Sequence, residues 1–129
     1  MGFQMMKWKV VLDGIEPLSD YDIDVLSLKT PDGSCSFKLE LPRNLASYRI
    51  GEQGELVMSK TRPEPSAEQR IVVRGMIYKI RREGGRLTML ASIGGLLFSA
   101  IGELDLSDFN EGEYVYLTLK GGLLAALSS

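Results

Sequence analysis

The sequence predicts an all-β protein, folded as a small antiparallel barrel or sandwich. Short runs alternate between apolar and polar residues, which is the pattern of a strand with one buried face. Glycine, proline and aspartate separate these runs at turn-like spacing. No long amphipathic helical pattern interrupts them. About eight short strands with turns between them are typical of a barrel or a sandwich.

Three strands are predicted in the first third of the chain, at 6–12, 21–29 and 35–41. The first ends near Asp13-Gly14. A turn at Pro31-Asp32-Gly33 separates the second from the third, because proline presets φ and glycine accepts a positive φ. The third strand alternates most regularly, and its buried face should carry Cys35, Phe37, Leu39 and Leu41.

The middle of the chain is less regular. The segment 42–54 predicts a short helical turn around Leu45 to Tyr48, and a strand follows at 55–60. The segment 61–68 holds two prolines among polar residues, which predicts a loop.

A long strand at 71–82 contains Gly75, and a glycine inside a strand indicates a bulge or a sharp bend. The Gly84-Gly85 pair predicts a tight hairpin turn between this strand and a returning strand at 87–92. Together these segments form the predicted long hairpin.

The last third of the chain begins with Gly94-Gly95, which breaks the preceding strand. The run 96–101 lacks polar alternation before Ser99, so it should be buried on both sides, either in the core or beneath another protein. A polar connection at 103–112 leads to a final strand at 114–120. We therefore expect a barrel domain at 1–120 and a C-terminal tail at 121–129.

Composition restricts the chemistry that the chain can perform. It has 129 residues, one cysteine, no histidine and a net charge of −2. This set excludes histidine-based triads and cysteine or histidine zinc sites within one chain. Asp20-x-Asp22-x-Asp24 resembles the start of a calcium loop, but Val25 and Pro31 occupy the positions that need glycine and glutamate. We expect no catalytic residue, metal, cofactor or small-molecule ligand.

The expected compartment is the cytoplasm, and no membrane partner is expected. The sequence has no signal-peptide pattern and no apolar run approaching the ~18 residues of a membrane span. A single cysteine suits a reducing environment.

The long hairpin is rich in positive charge. Its basic residues are Lys79, Arg81, Arg82 and Arg86. They fit a phosphate-backbone contact, a solvated hairpin or an acidic patch on a partner protein. The aromatic residues Trp8, Tyr78, Tyr114 and Tyr116 fit either base stacking or core packing. The alternative function is therefore a free-standing single-stranded nucleic-acid-binding protein.

The second half of the chain resembles a known family, the small OB-fold subunit shared by archaeal and eukaryotic nuclear RNA polymerases. In archaea this is the G subunit of the polymerase, and its counterpart is the eighth subunit common to the three nuclear enzymes. The matching segments are Ser59-Lys60-Thr61-Arg62-Pro63, Gly75-Met76-Ile77-Tyr78-Lys79-Ile80, Ser92-Ile93-Gly94-Gly95-Leu96-Leu97 and the strand from Tyr114 to Lys120. Departures from the family pattern are Ile93, where an aromatic residue is usual, and Phe98-Ser99, where Met-Arg is usual.

The resemblance implies an OB-like barrel that acts as a non-catalytic assembly subunit of archaeal DNA-directed RNA polymerase. It implies docking on the largest subunit within the polymerase complex, with nucleic acid contacted only indirectly. The candidate docking residues are Arg62, Pro63, Tyr78, Gly94, Gly95, Leu96, Leu97 and Phe98.

Overall fold

The structure, a computed structural model, describes residues 5–18, 20–43, 48–67 and 69–121. Eight strands occupy most of this length: β1 Met5–Leu18, β2 Ile23–Lys29, β3 Cys35–Pro42, β4 Gln53–Ser59, β5 Gln69–Glu83, β6 Arg86–Ile93, β7 Leu96–Gly102 and β8 Tyr114–Gly121. They form one closed antiparallel barrel, which confirms the predicted all-β, OB-like class. The predicted helical turn at 45–48 lies largely outside the described residues, and so does most of the predicted tail at 121–129.

The strand order around the barrel is β1-β2-β3-β7-β6-β5-β8-β4, and β4 closes the circle against β1. Sequential hairpins build the β1–β2–β3 and β5–β6–β7 portions. The pairing of β3 with β7 and that of β4 with β8 join distant parts of the chain. Closure matters because it leaves few backbone groups unpaired at strand edges.

The core fills the barrel with side chains from alternate strand positions. On β3, Cys35, Phe37, Leu39 and Leu41 are all buried, as the alternation predicts. Phe37 is central, since its ring lies 5.1 Å from that of Trp8 and 6.3 Å from that of Phe98, measured between centroids. Aromatic pairs at these separations add to the stability that burial provides.

The connection at 103–112 is more than a polar loop, and this part of the sequence prediction is wrong. Leu106 and Phe109 are buried in the core, three residues apart. Phe109 N donates a hydrogen bond to Leu106 O at 3.0 Å, which closes a tight turn. The turn lets both apolar side chains insert into the barrel while the acidic residues around them stay in solvent.

Two glycines, Gly14 and Gly75, lie inside long strands. Gly14 does not end the first strand: β1 continues to Leu18, and its register with β2 shifts between Leu12 and Gly14. Gly75 is not the bulge in β5, because the register with β6 shifts between Ile77 and Lys79 instead. A Cβ atom at Gly75 would lie 3.0 Å from Ser92 O, so glycine here permits the close approach of β6.

Two of the three aspartates of the calcium-like segment, Asp22 and Asp24, make ion pairs. The Arg43 guanidinium lies 3.3 Å from the Asp24 carboxylate and 3.8 Å from that of Asp22. These contacts tie the end of β3 to the start of β2. In the described ranges, no helix is long and apolar enough to cross a membrane.

Candidate docking surface

The Gly94-Gly95 pair forms a two-residue hairpin turn between β6 and β7. Ile93 and Leu96 pair directly across it, and the two glycines have φ values of 54° and 95°. Two consecutive positive φ angles are typical of the hairpin turn that matches strand twist, and glycine adopts them without strain. A Cβ atom at either position would have no heavy atom within 4 Å, so the turn projects into open space.

Strand β7 has one buried face and one exposed face, so the prediction that its apolar run is buried on both sides is wrong for the isolated chain. Phe98 and Ala100 point into the core and are 0% exposed. Leu97 and Ile101 are 37% and 42% exposed. The alternation was hidden because apolar residues occupy both faces. Phe98 is therefore a core residue with no surface to offer a partner, while Leu96 packs partly against the core.

Leu97 belongs to a row of outward side chains that crosses four strands. Tyr114 of β8 pairs with Met76 of β5, Met76 with Ser92 of β6, and Ser92 with Leu97 of β7. Directly paired residues share a face of the sheet. Beyond Leu97, the Glu40 carboxylate accepts a hydrogen bond from Leu97 N at 3.0 Å.

Two further rows lie parallel to the first. One runs Lys79, Leu90, Ser99, Lys38, and the other runs Arg81, Thr88, Ile101, Ser36, from β5 through β6 and β7 to β3. We call the surface formed by these three rows the β5–β7 face. Its centre consists of aliphatic and hydroxyl side chains, and its basic residues lie on the outer strands β5 and β3.

Tyr78 lies beside this face at the β5 bulge and is exposed. Nearby, the Arg74 guanidinium lies 4.6 Å from the centroid of the exposed Tyr114 ring, a cation–π distance. Beyond this bulge, the connection between β7 and β8 lies along the edge of β5. Ile80 N donates a hydrogen bond to the Glu111 carboxylate of this connection at 2.9 Å.

Arg62 and Pro63 lie in the loop that leaves β4, and Arg62 is exposed. Lys60 anchors the start of this loop: its ammonium lies 3.2 Å from the Glu113 carboxylate and 5.5 Å from the Phe109 ring centroid. A hydrogen bond from Asn110 N and the contact with Lys60 lower the pKa of Glu113. The start of the loop is thus held against Glu113, the residue before Tyr114, while Arg62 and Pro63 belong to none of the three rows of the β5–β7 face.

The four basic hairpin residues are all exposed but do not share one face. Lys79 and Arg81 lie on the β5–β7 face. Arg82 pairs with Leu87, whose side chain is buried in the core, and therefore belongs to the opposite face of the hairpin. Arg86 begins β6 directly after the glycine turn. Of the four candidate stacking residues, Tyr78 and Tyr114 are exposed, while Trp8 and Tyr116 are half-buried.

The structure thus groups Tyr78, Gly94, Gly95 and Leu97 on or beside the β5–β7 face and assigns Phe98 to the core. Sequence reasoning missed Met76, Ser92 and Ile101 as members of the face. The sequence does indicate Ile101, because residues four apart, such as Leu97 and Ile101, lie on the same face of a regular strand. Across the described part of the chain, no three His, Cys, Asp or Glu side chains converge in a way that could hold a metal ion.

The structure is thus a closed barrel that leaves Met76, Leu97 and Ile101 partly exposed on one sheet face. The family model of the G subunit of DNA-directed RNA polymerase matches residues 5–121. The chain therefore belongs to the family of this polymerase subunit, which confirms the resemblance seen in its sequence.

No curated protein sequence matches the chain. Among solved structures, a crystal structure of the cytoplasmic molybdate-binding protein ModG with molybdate bound matches with 8% sequence identity and a TM-score of 0.39, over 89% of each chain. A likeness this distant carries no argument about function.

Proposed function

We propose that the chain is a non-catalytic assembly subunit that docks on the largest subunit of RNA polymerase through the β5–β7 face. Family membership supports the polymerase context. The observation that carries the proposal is the exposure of Leu97, Ile101 and Met76 on one continuous sheet face. Contiguous exposed apolar side chains are typical of protein–protein interfaces.

The Gly94-Gly95 turn supports this choice of face. The turn projects next to Leu97, and its lack of side chains would let a partner approach the backbone closely. Tyr78 and Tyr114 flank the same region, and tyrosine is enriched at interfaces because it offers large contact area together with a hydroxyl group.

The proposal is tested with the substitution Leu97→Asp in a tagged chain, used to purify polymerase from cells at moderate and then high salt. A carboxylate in the centre of an apolar contact should cost about 2 kcal/mol or more, roughly a thirtyfold loss of affinity. We expect the wild-type chain to recover the largest subunit stoichiometrically at both salt concentrations, and the variant to lose it.

Tyr21→Asp is the matched control. Tyr21 is 66% exposed in the β1–β2 connection and belongs to none of the three rows of the β5–β7 face, and so should tolerate the same change with full recovery of polymerase. Thermal unfolding of both variants checks the fold. Recovery of polymerase by Leu97→Asp at the wild-type level would contradict the proposed face.

A single-stranded nucleic-acid-binding role is the second candidate. The observation in its favour is the pair of exposed tyrosines, one of which contacts Arg74, beside the basic side of the face. The same purification separates the two roles, because recovery of nucleic acid alone, lost at high salt, would support this candidate and reject the assembly role.

A further inference from the structure

We infer that the surface of the partner protein that contacts the β5–β7 face is apolar at its centre and carries carboxylates opposite Lys79, Arg81 and Lys38. This inference rests on the proposed docking role. It adds the chemistry of the partner, a protein surface of defined charge pattern, which the docking role alone leaves open.

The first argument is the charge of the face. Lys79 and Arg81 lie on its β5 side and Lys38 on its β3 side, and all three side chains are exposed. Among the described residues, the ion pairs use other cations: Lys29, Arg43, Lys60 and Lys120. The face therefore presents three cations that form no ion pair within the described part of the barrel.

Acidic residues also lie at the margin of the face, but no described acidic residue forms an ion pair with Lys79, Arg81 or Lys38. The Glu40 carboxylate accepts a hydrogen bond from Leu97 N at 3.0 Å, and the Glu111 carboxylate accepts one from Ile80 N at 2.9 Å. Glu83 ends β5 and pairs with Arg86 across the Gly84-Gly85 turn, beyond the third row. The chain as a whole has a net charge of −2, so the positive charge of the face is a local feature.

The second argument is the position of the cations around the apolar centre. Leu90, Leu97 and Ile101 lie on β6 and β7, between Lys79 and Arg81 of β5 and Lys38 of β3. An apolar centre with charged residues at its margin is the usual arrangement of a protein interface. Marginal charges act mainly on the rate of association, by attracting a surface of opposite sign.

A protein partner fits this face better than nucleic acid does. Bases stack on aromatic rings, but the centre of the face is built from aliphatic and hydroxyl side chains. Its exposed tyrosines, Tyr78 and Tyr114, lie at the β5 and β8 margin only.

The test is a charge reversal, Lys79→Glu with Arg81→Glu, measured against polymerase purified without this subunit. We expect about tenfold slower association than the wild type at low salt, with the difference shrinking at high salt as screening increases. The neutral pair Lys79→Gln with Arg81→Gln should give an intermediate rate. Chemical unfolding of each variant verifies the fold.

The matched control is Lys7→Glu with Lys9→Glu. Both lysines are exposed on β1, which lies opposite β6 in the barrel, and the change in net charge is identical. We expect this control to associate like the wild type. Equal slowing in both double variants would show an effect of net charge alone and would overturn the inference.

A carbodiimide reagent gives a second readout, because it joins a lysine amine to a carboxylate only when the two are in contact. We expect cross-links from Lys38 and Lys79 to aspartate or glutamate of the largest subunit, and none from Lys7 or Lys9. Cross-links from Lys7 and Lys9 instead would overturn the inference.

The possible outcomes distinguish a failure of the inferred charge pattern from a failure of the docking role on which it rests. If the wild-type chain fails to bind the polymerase, the docking role itself fails. If the wild type binds and the charge reversal binds equally fast, only the inferred charge pattern fails. A reversal that leaves polymerase association unchanged but weakens binding of a single-stranded oligonucleotide would assign the cations to nucleic acid and overturn the inference.

Discussion

At the residue scale, Asp32 shows how one side chain fixes the turn between β2 and β3. Its Oδ1 atom accepts hydrogen bonds from Ser34 N at 3.0 Å and from the Thr30 and Ser34 hydroxyls, each at 2.8 Å. Together these bonds lower the pKa of Asp32 from 3.8 to about 2. The bond from the Ser34 backbone N–H contributes most, followed by the bonds from the Thr30 and Ser34 side chains. All of these bonds favour the charged carboxylate.

This depressed pKa predicts a specific acid dependence of stability. Because the folded state holds the proton more weakly than the unfolded chain, Asp32 stabilises the fold above about pH 4, and this contribution is lost as the pH falls towards 2. Carboxyl titration by NMR should find Asp32 titrating near pH 2. Asp32→Asn should flatten the stability curve in that interval, and an ordinary titration near 3.8 would contradict the turn geometry.

At the scale of elements, β7 has apolar side chains on both faces, and one face is buried in the core while the other is partly exposed. Phe98→Ala should destabilise the isolated chain by about 3–5 kcal/mol, because it opens a cavity beside Phe37. Leu97→Ala should cost less than about 1 kcal/mol, because Leu97 is already partly in solvent. Unfolding of both variants in urea measures the two costs. Similar costs would mean that Leu97 belongs to the core.

The contrast between β3 and β7 explains which elements the sequence could predict. On β3 the outward residues are polar or charged, so alternation identifies the buried face directly. On β7 the outward residues Leu97 and Ile101 are as apolar as the inward ones, and Ser99 between them is the only polar residue of the run, so the periodicity separates the two faces weakly. A strand with apolar residues on both faces therefore gives little indication of which face is buried.

Other misses have equally local causes. Leu106 and Phe109 stand in an acidic segment without strand alternation, so their insertion into the core left little sequence signal. Gly14 and Gly75 both interrupt strand patterns, yet the first accompanies a register shift and the second permits a close approach of backbones. Composition cannot distinguish these two uses of glycine.

At the scale of the whole molecule, the candidate site depends on which strands become neighbours. The pairing of β8 with β5 joins Tyr114 to Met76, and the β6 and β7 registers continue the row to Leu97. The hairpins can be read from turns along the chain, but the β5–β8 and β3–β7 pairings cannot, because residues far apart in sequence form them. Five of the eight predicted docking residues therefore lie in one run of the chain, Gly94 to Phe98, whereas only the fold brings Met76 into the same row as Leu97.

The most direct measurement of the central claim is hydroxyl-radical footprinting of the chain, free and assembled with polymerase. Methionine and tyrosine pairs give internal controls: Met76 and Tyr114 lie in the first row of the face, and the exposed Met5 and Tyr21 lie elsewhere. Docking through the β5–β7 face predicts that assembly protects Met76 and Tyr114 and leaves Met5 and Tyr21 reactive. Protection of Met5 and Tyr21, with Met76 and Tyr114 unchanged, would contradict it.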